Sequence, residues 1–132
     1  MSDQLVAEVY WRKAVESLAG AQSACASARY SNCANRAYYA AFQAAISTLL
    51  QNGIRHPAGR WPHTFVQSEF VGKLINRRRS FPSESRGTLA ELQSVRHRAD
   101  YCGAMIARSD AARSLSQSQK FIDAVAERGG WQ

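Results

Sequence analysis

Cysteine is scarce in this chain and odd in number: Cys25, Cys33 and Cys102 lie far from any Cys-x-x-Cys spacing. Neither a disulfide framework nor a zinc site is indicated, and buried or partly buried thiols in a reducing cytosol fit best. Long apolar runs are missing as well. The longest, Ala37 to Leu50, is broken by Gln43, Ser47 and Thr48 and is shorter than the ~18 to 20 residues of a membrane span. The start, MSDQLVAEVYW, has no basic stretch ahead of an apolar one, which argues against a signal peptide; a cytoplasmic protein with no membrane contact is expected. There is no strand-like alternation of useful length, no internal repeat and no shift in composition along the chain, so residues 1–132 are expected to form one helical domain.

Lysine is almost absent, and that shapes the charge. Seventeen Lys and Arg against ten Asp and Glu give +7, with lysine only at positions 13, 73 and 120. Arginine's planar fork suits bidentate contact with phosphate or carboxylate, so the bias points to an acidic partner: RNA, DNA, a nucleotide or a protein. The alternative is charge that serves solubility alone.

What the sequence does hold is helical periodicity. The spacing predicts a first helix from Asp3 to about Arg29, with Leu5, Val9, Trp11, Val15, Leu18 and Cys25 as its apolar residues and alanines between them. A second runs from about Asn32 to Asn52 with Ala34, Ala37, Tyr38, Ala41, Ala45, Thr48 and Leu49 on one face, and Gly53 stands where a glycine would close it. Residues 53–62, with two glycines and two prolines, must be a loop. A third helix is expected from Thr64 to Arg77, carrying Phe65, Phe70, Val71, Leu74 and Ile75. A fourth is expected from about Pro82 to Arg108, with Leu89, Leu92, Val95, Ala99 and Met105 or Ile106 inward. A fifth follows, N-capped by Ser109 and closed by Gly129 and Gly130. Tight connections near Tyr30 and Ser109 leave no room for a crossover, so the fold class is all-α, an antiparallel four-to-five helix bundle with the fourth helix beside the second.

Chemistry-bearing residues gather on those two helices. In SVRHRADY, Arg96 and Asp100 are four apart and share a face; His97 and Tyr101 form a second such pair about 100° around the axis. Arg36, Tyr38 and Tyr39 interrupt the alanines of the second helix. A buried Arg36 would need a carboxylate, and Asp100 is the candidate. Structural readings stand beside the functional ones: Arg96 and Asp100 as an ion pair that orders the bundle, the tyrosines as packing residues, His56 and His63 as loop-flanking or capping groups. Arg77, Arg78 and Arg79, with Arg55, Arg60 and Arg86, form either a basic rim for phosphate or a set of cations satisfied by a helix C-terminus. Trp61 reads as a loop anchor more readily than as a base-stacking platform.

YSNCANRAYYAAFQAAISTLL, followed some forty residues later by LQSVRHRADY, resembles the HEPN superfamily of small all-helical proteins, in particular the branch with an Arg-x-x-Ala-Asp-Tyr signature: here Arg96, Ala99, Asp100 and Tyr101. The resemblance covers roughly residues 10 to 128. It implies a four-to-five helix bundle, usually dimeric with a groove at the interface. Many members are metal-independent ribonucleases whose motif is an Arg, four to six residues, then a His, and which act as toxins paired with a nucleotidyltransferase-type antitoxin. Arg96 matches the motif arginine; the positions for the histidine hold Tyr101, Cys102 and Gly103. Metal-free RNA cleavage needs a group to take the 2′-hydroxyl proton, one to protonate the leaving 5′-oxygen and a cation on the developing charge. Histidine, near ~6.5, suits either proton role at neutral pH, whereas tyrosine, near ~10, donates but is a poor base. His63 is the substitute if the third helix borders the same groove.

The sequence thus predicts Arg96, Tyr101 and His63 as catalytic candidates, and Arg36, Asp100, Arg77, Arg78 and Arg79 as binding candidates. No metal or cofactor is called for. RNA or a nucleotide is the expected ligand, with a nucleotidyltransferase-type antitoxin and a second copy of the chain as partners. The alternative is a non-catalytic helical module that binds a nucleotide or a protein.

Overall fold

A computed structural model describes residues 2–131. Among them α1 spans Asp3–Ala26, α2 Tyr30–Gln51, α3 His63–Glu69, α4 Thr88–Tyr101 and α5 Arg108–Gly129, with no strand. The helix of α3 widens without a break into a π-helix over Phe70–Arg77, and a short 3₁₀ turn covers Ser83–Ser85. No helix of the described residues is long and apolar enough to cross a membrane.

Side-chain contacts fix the direction of each long helix. Ser17 bonds Gln43 across the tight α1–α2 turn and Gln117 bonds Glu91 across the α4–α5 turn, so these neighbours run antiparallel. Trp11 against Trp131 and Gln22 against Gln119 set α1 antiparallel to α5, and Asn35 bonds Asp100 between α2 and α4. Ser118 donates to the Ala37 carbonyl (2.7 Å) and Gln51 to the Gly129 carbonyl (3.1 Å), so α5 lies parallel to α2 across the bundle. The expected antiparallel bundle is the fold observed. Its core is α2, whose Ala37, Ala40, Ala41, Ala44 and Ala45 are wholly buried; helices packed on these alanines approach closely because no long side chain holds them apart.

The first helix packs differently from its expected pattern. Leu5, Val9 and Val15 are exposed, and the buried stripe is Ala7, Trp11, Ala14, Leu18 and Ala21. This is an alternating four-three spacing in which alanine supplies every second contact; the expected Trp11 and Leu18 lie on it, whereas Leu5, Val9 and Val15 do not. Helix bounds also shift, most in the fourth and fifth helices. The fourth helix begins at Thr88, not Pro82, because Ser83–Ser85 takes a 3₁₀ turn, and it ends at Tyr101, where Gly103 turns into left-handed backbone (φ 63°). Met105 therefore lies outside the helix and is 90% exposed, while Ile106 fills the core. The fifth helix starts at Arg108, one residue ahead of Ser109, with Ala107 at the N-cap.

Both ends of the α1–α2 hairpin use one closing geometry. At Gly53 (φ 74°), Ile54 N–H bonds the Leu49 carbonyl and Gly53 N–H the Leu50 carbonyl, and the buried Ile54 seals the end. At the close of α1 the same pair of bonds forms from Arg29 to Ala24 and from Ala28 to Cys25. Here the left-handed position is Ala28 (φ 60°), which carries a Cβ. That conformation costs a non-glycine residue about 1 to 2 kcal/mol, against about 0.5 to 1 kcal/mol for the extra freedom of an unfolded glycine. Ala28→Gly is therefore expected to stabilise the protein by about 0.5 to 1 kcal/mol, raising the thermal midpoint by a few degrees; a lowered midpoint would refute strain at Ala28.

Candidate functional site

α2, α4 and the first residue of α3 meet in a layer of aromatic rings with one guanidinium on it. Arg96 projects from α4 and is buried (8% exposed). Its Nε donates to Asp100 Oδ2 (3.1 Å), Nη1 to Gln93 Oε1 (3.3 Å) and Nη2 to the Tyr101 hydroxyl (3.3 Å). The same cation stands 5.7, 5.3 and 5.5 Å from the ring centroids of Tyr38, Tyr39 and Tyr101, where the negative ring faces replace part of its lost hydration. The three polar partners follow from helical spacing, at three, four and five positions from Arg96.

Tyr38 ties this cation to His63. The Tyr38 ring is wholly buried, and its hydroxyl is hydrogen-bonded to Nδ1 of His63. The imidazole stacks on Phe42, one turn along α2, at 4.7 Å. Pro62, extended at the N-cap of α3, brings the chain out of the loop at that point. Burial, with a smaller contribution from the positive charge of Arg96, holds the His63 imidazole below its ordinary value, so it is neutral at pH 7. Burial likewise raises the Tyr38 phenol above its usual range, opposed in part by Gln67 and Arg96.

Arg36 does not meet Asp100 directly, contrary to the sequence expectation. Its guanidinium donates twice to Asn35 Oδ1 (2.9 and 2.7 Å) and lies 5.1 Å from the Tyr39 ring centroid. Asn35 in turn donates to Asp100 Oδ2 (2.9 Å). The buried arginine that uses Asp100 is Arg96, and Asn35 couples the two cations through one carboxylate. His97 is exposed, with its ring 5.2 Å from that of Tyr101. His56 accepts from the Ala58 N–H (3.0 Å) within its own loop, and Trp61 packs against Tyr10 and Phe65. The thiol of Cys33, pushed up to about 12 by burial and by neighbouring Cys25, donates to the Ala111 carbonyl and packs. Among the described residues no group of three or more His, Cys, Asp or Glu gathers as metal ligands would.

Arg77, Arg78 and Arg79 do not join this cluster. His63 opens the continuous helix that Arg77 ends, and at about 1.5 Å per residue the two lie about 20 Å apart. Arg55, expected on the same rim, is paired with Asp3 at 2.7 Å. Sequence reasoning passed over Asn35 and Gln93, although the first adjoins Arg36 and the second is one turn from Arg96. The Tyr38–His63 bond joins residues 25 positions apart and leaves no local sequence signal.

A family model described as the HEPN domain matches residues 7–128, which takes in every residue of this cluster. No curated protein matches the chain.

Asp100 is half-buried beside Arg96, so Asp100→Ala strips a mostly buried cation of its counter-charge and frees Asn35. Breaking a fully buried pair costs about 3 to 5 kcal/mol. Because Gln93 and Tyr101 still hold Arg96, a loss of about 2 kcal/mol is expected in a denaturant titration. An unchanged midpoint would mean the pair contributes nothing to the fold.

Proposed function

Because the chain belongs to the HEPN family, we propose that this cluster holds an RNA phosphodiester and cleaves it without a metal, with the protein acting as the toxin-type half of a two-component pair. One observation carries the reading: Arg96 and His63, 33 positions apart, both contact the Tyr38 side chain, one at its ring and one at its hydroxyl. A guanidinium and an imidazole thus meet on one tyrosine, which supports this reading although the position after four intervening residues holds Tyr101.

In this reading His63 carries its proton on Nδ1 and donates it to the Tyr38 oxygen, leaving the Nε2 lone pair to take the proton of a ribose 2′-hydroxyl. The 2′-oxygen attacks phosphorus, the bond to the 5′-oxygen breaks, and the products are a 2′,3′-cyclic phosphate and a 5′-hydroxyl. Arg96 steadies the charge that develops on phosphorus. The Tyr101 oxygen accepts from Arg96, so its own proton is free for the leaving oxygen. Tyr101, 65% exposed, presents an apolar ring on this face, which supports a second copy of the chain packing against it. A nucleotidyltransferase-type antitoxin would be the second component.

The alternative reading, a non-catalytic nucleotide- or protein-binding module, is favoured by one observation. Arg96 already has three polar partners and three ring faces, and little of it meets solvent. The test is labelled RNA incubated with the purified protein in EDTA. Cleavage to cyclic-phosphate ends is expected, with His63→Ala lowering the rate by about 10² to 10⁴-fold. Intact RNA, or cleavage that survives both His63→Ala and Arg96→Ala, would leave the binding module standing. The pH profile has a defined sign. His63 acts when neutral and is held below its ordinary value, so the rate should persist as pH falls past ~6.5 and drop only below it. An acid limb at or above that value would assign the proton to another group.

A further inference from the structure

The opposite end of the bundle carries charge that the Arg96 cluster does not use. Arg79, Arg86 and Arg128 gather at the Ser80–Phe81 segment, with Arg77 and Arg78 just ahead of it in the chain, and among the described residues none of the five pairs with a carboxylate within 4.0 Å. Neutral acceptors hold three of them: Arg86 donates to Asn76 Oδ1 (2.7 Å), Arg78 to Asn52 Oδ1 (3.1 Å), and Arg128 to the Ser80 carbonyl (2.6 Å) while lying 5.4 Å from the Phe81 ring centroid. Their geometry is fixed and their charge is left intact. Ile75, Asn76, Arg79, Phe81, Ser83 and Arg86 line a cleft of about 390 Å³. Arg79, at its edge, sits in left-handed backbone (φ 51°), a conformation unfavourable for any side chain with a Cβ.

We infer that this cleft is a second phosphate site, an exosite that grips the backbone of the same RNA about 20 Å from His63. The inference rests on the RNA reading of the Arg96 cluster and extends it to substrate length. A protein partner would need an apolar or aromatic anchor at the centre of its footprint, and the large exposed apolar side chains, Leu5, Val9, Val15, Tyr101 and Met105, all lie elsewhere. A polyphosphate backbone needs none, and arginine forks suit its oxygens. Twenty ångströms corresponds to about six nucleotides of a stacked strand, so short oligonucleotides reach one site and longer ones both.

Binding is measured apart from cleavage by using 2′-O-methyl oligouridylates of four and twelve nucleotides, followed by anisotropy at several KCl concentrations. The twelve-mer should bind more tightly and with a steeper salt dependence. Arg79→Gly combined with Arg86→Gln should lower the twelve-mer's log–log salt slope by about 1.4, the loss of two single-strand phosphate contacts at about 0.7 each. Arg79→Gly alone should weaken twelve-mer binding while raising the thermal midpoint, a split that a purely structural arginine would not give. An unchanged twelve-mer slope in the double variant overturns the exosite, as does poly-glutamate binding the wild-type protein as tightly as the twelve-mer at equal salt. The 2′-O-methyl strand cannot be cut, so failure here is separate from failure of the catalytic reading, which is judged by cleavage alone.

Discussion

A helix covered on almost every side can admit close neighbours only by presenting small residues to them, and α2 meets that constraint with alanine. Ala37, Ala40, Ala41, Ala44 and Ala45 are wholly buried, and α5 comes near enough for Ser118 to bond the Ala37 carbonyl. Such packing leaves little space for large polar groups along the shared axis. Where α2 does carry them, at Asn35, Arg36, Tyr38 and Tyr39, they need partners from the helices alongside, because an unpaired polar group buried there is expensive. Tyr38 has His63, Asn35 has Asp100, and Arg96 from α4 supplies a cation to both rings. The polar cluster is interleaved with the small residues, Tyr38 and Tyr39 lying between the buried Ala37 and Ala40.

Much of this was legible in the sequence, and the failures have physical causes. The second helix and its glycine closure could be read because alanine periodicity and a turn residue point the same way. The first helix misled because its contacts are alanines, which carry little hydrophobic signal, while Leu5, Val9 and Val15 carry a strong one and face solvent. The fourth helix was overextended because Pro82 is compatible both with a first helical turn and with the 3₁₀ turn that forms. The sequence read Arg96 and Asp100 as sharing a face, and they do lie in one hydrogen bond at 3.1 Å. It named Tyr38 and His63 separately but gave no access to the bond between them, since a contact across 25 residues and a proline-containing loop depends on the fold as a whole.

The two cationic regions differ in how their charge is held. Around Arg96 a carboxylate, three rings and an amide surround the guanidinium, so much of its charge is spent on the fold. At the other end three of the five arginines, Arg78, Arg86 and Arg128, are held by neutral oxygens alone. Both arrangements immobilise the side chain, but only the second leaves the full charge for a ligand, since a hydrogen bond to a carbonyl fixes geometry without cancelling charge.

That difference bears on what each region can bind. With His63 neutral, Arg36, Arg96 and Asp100 sum to one positive charge, which matches one phosphodiester and would overbind neither substrate nor product. A group that holds the developing charge of a transition state needs this restraint, since tight ground-state binding would not lower the barrier. If RNA is the ligand, the arginine end has no such limit, and its guanidiniums would contribute affinity and register along a strand. On the proposed reading, strong, uniform binding away from the reacting phosphate, and weak but oriented charge beside it, would let contacts on remote nucleotides position the one that reacts. In this fold the two regions are kept apart because the continuous helix that begins at His63 ends at Arg77.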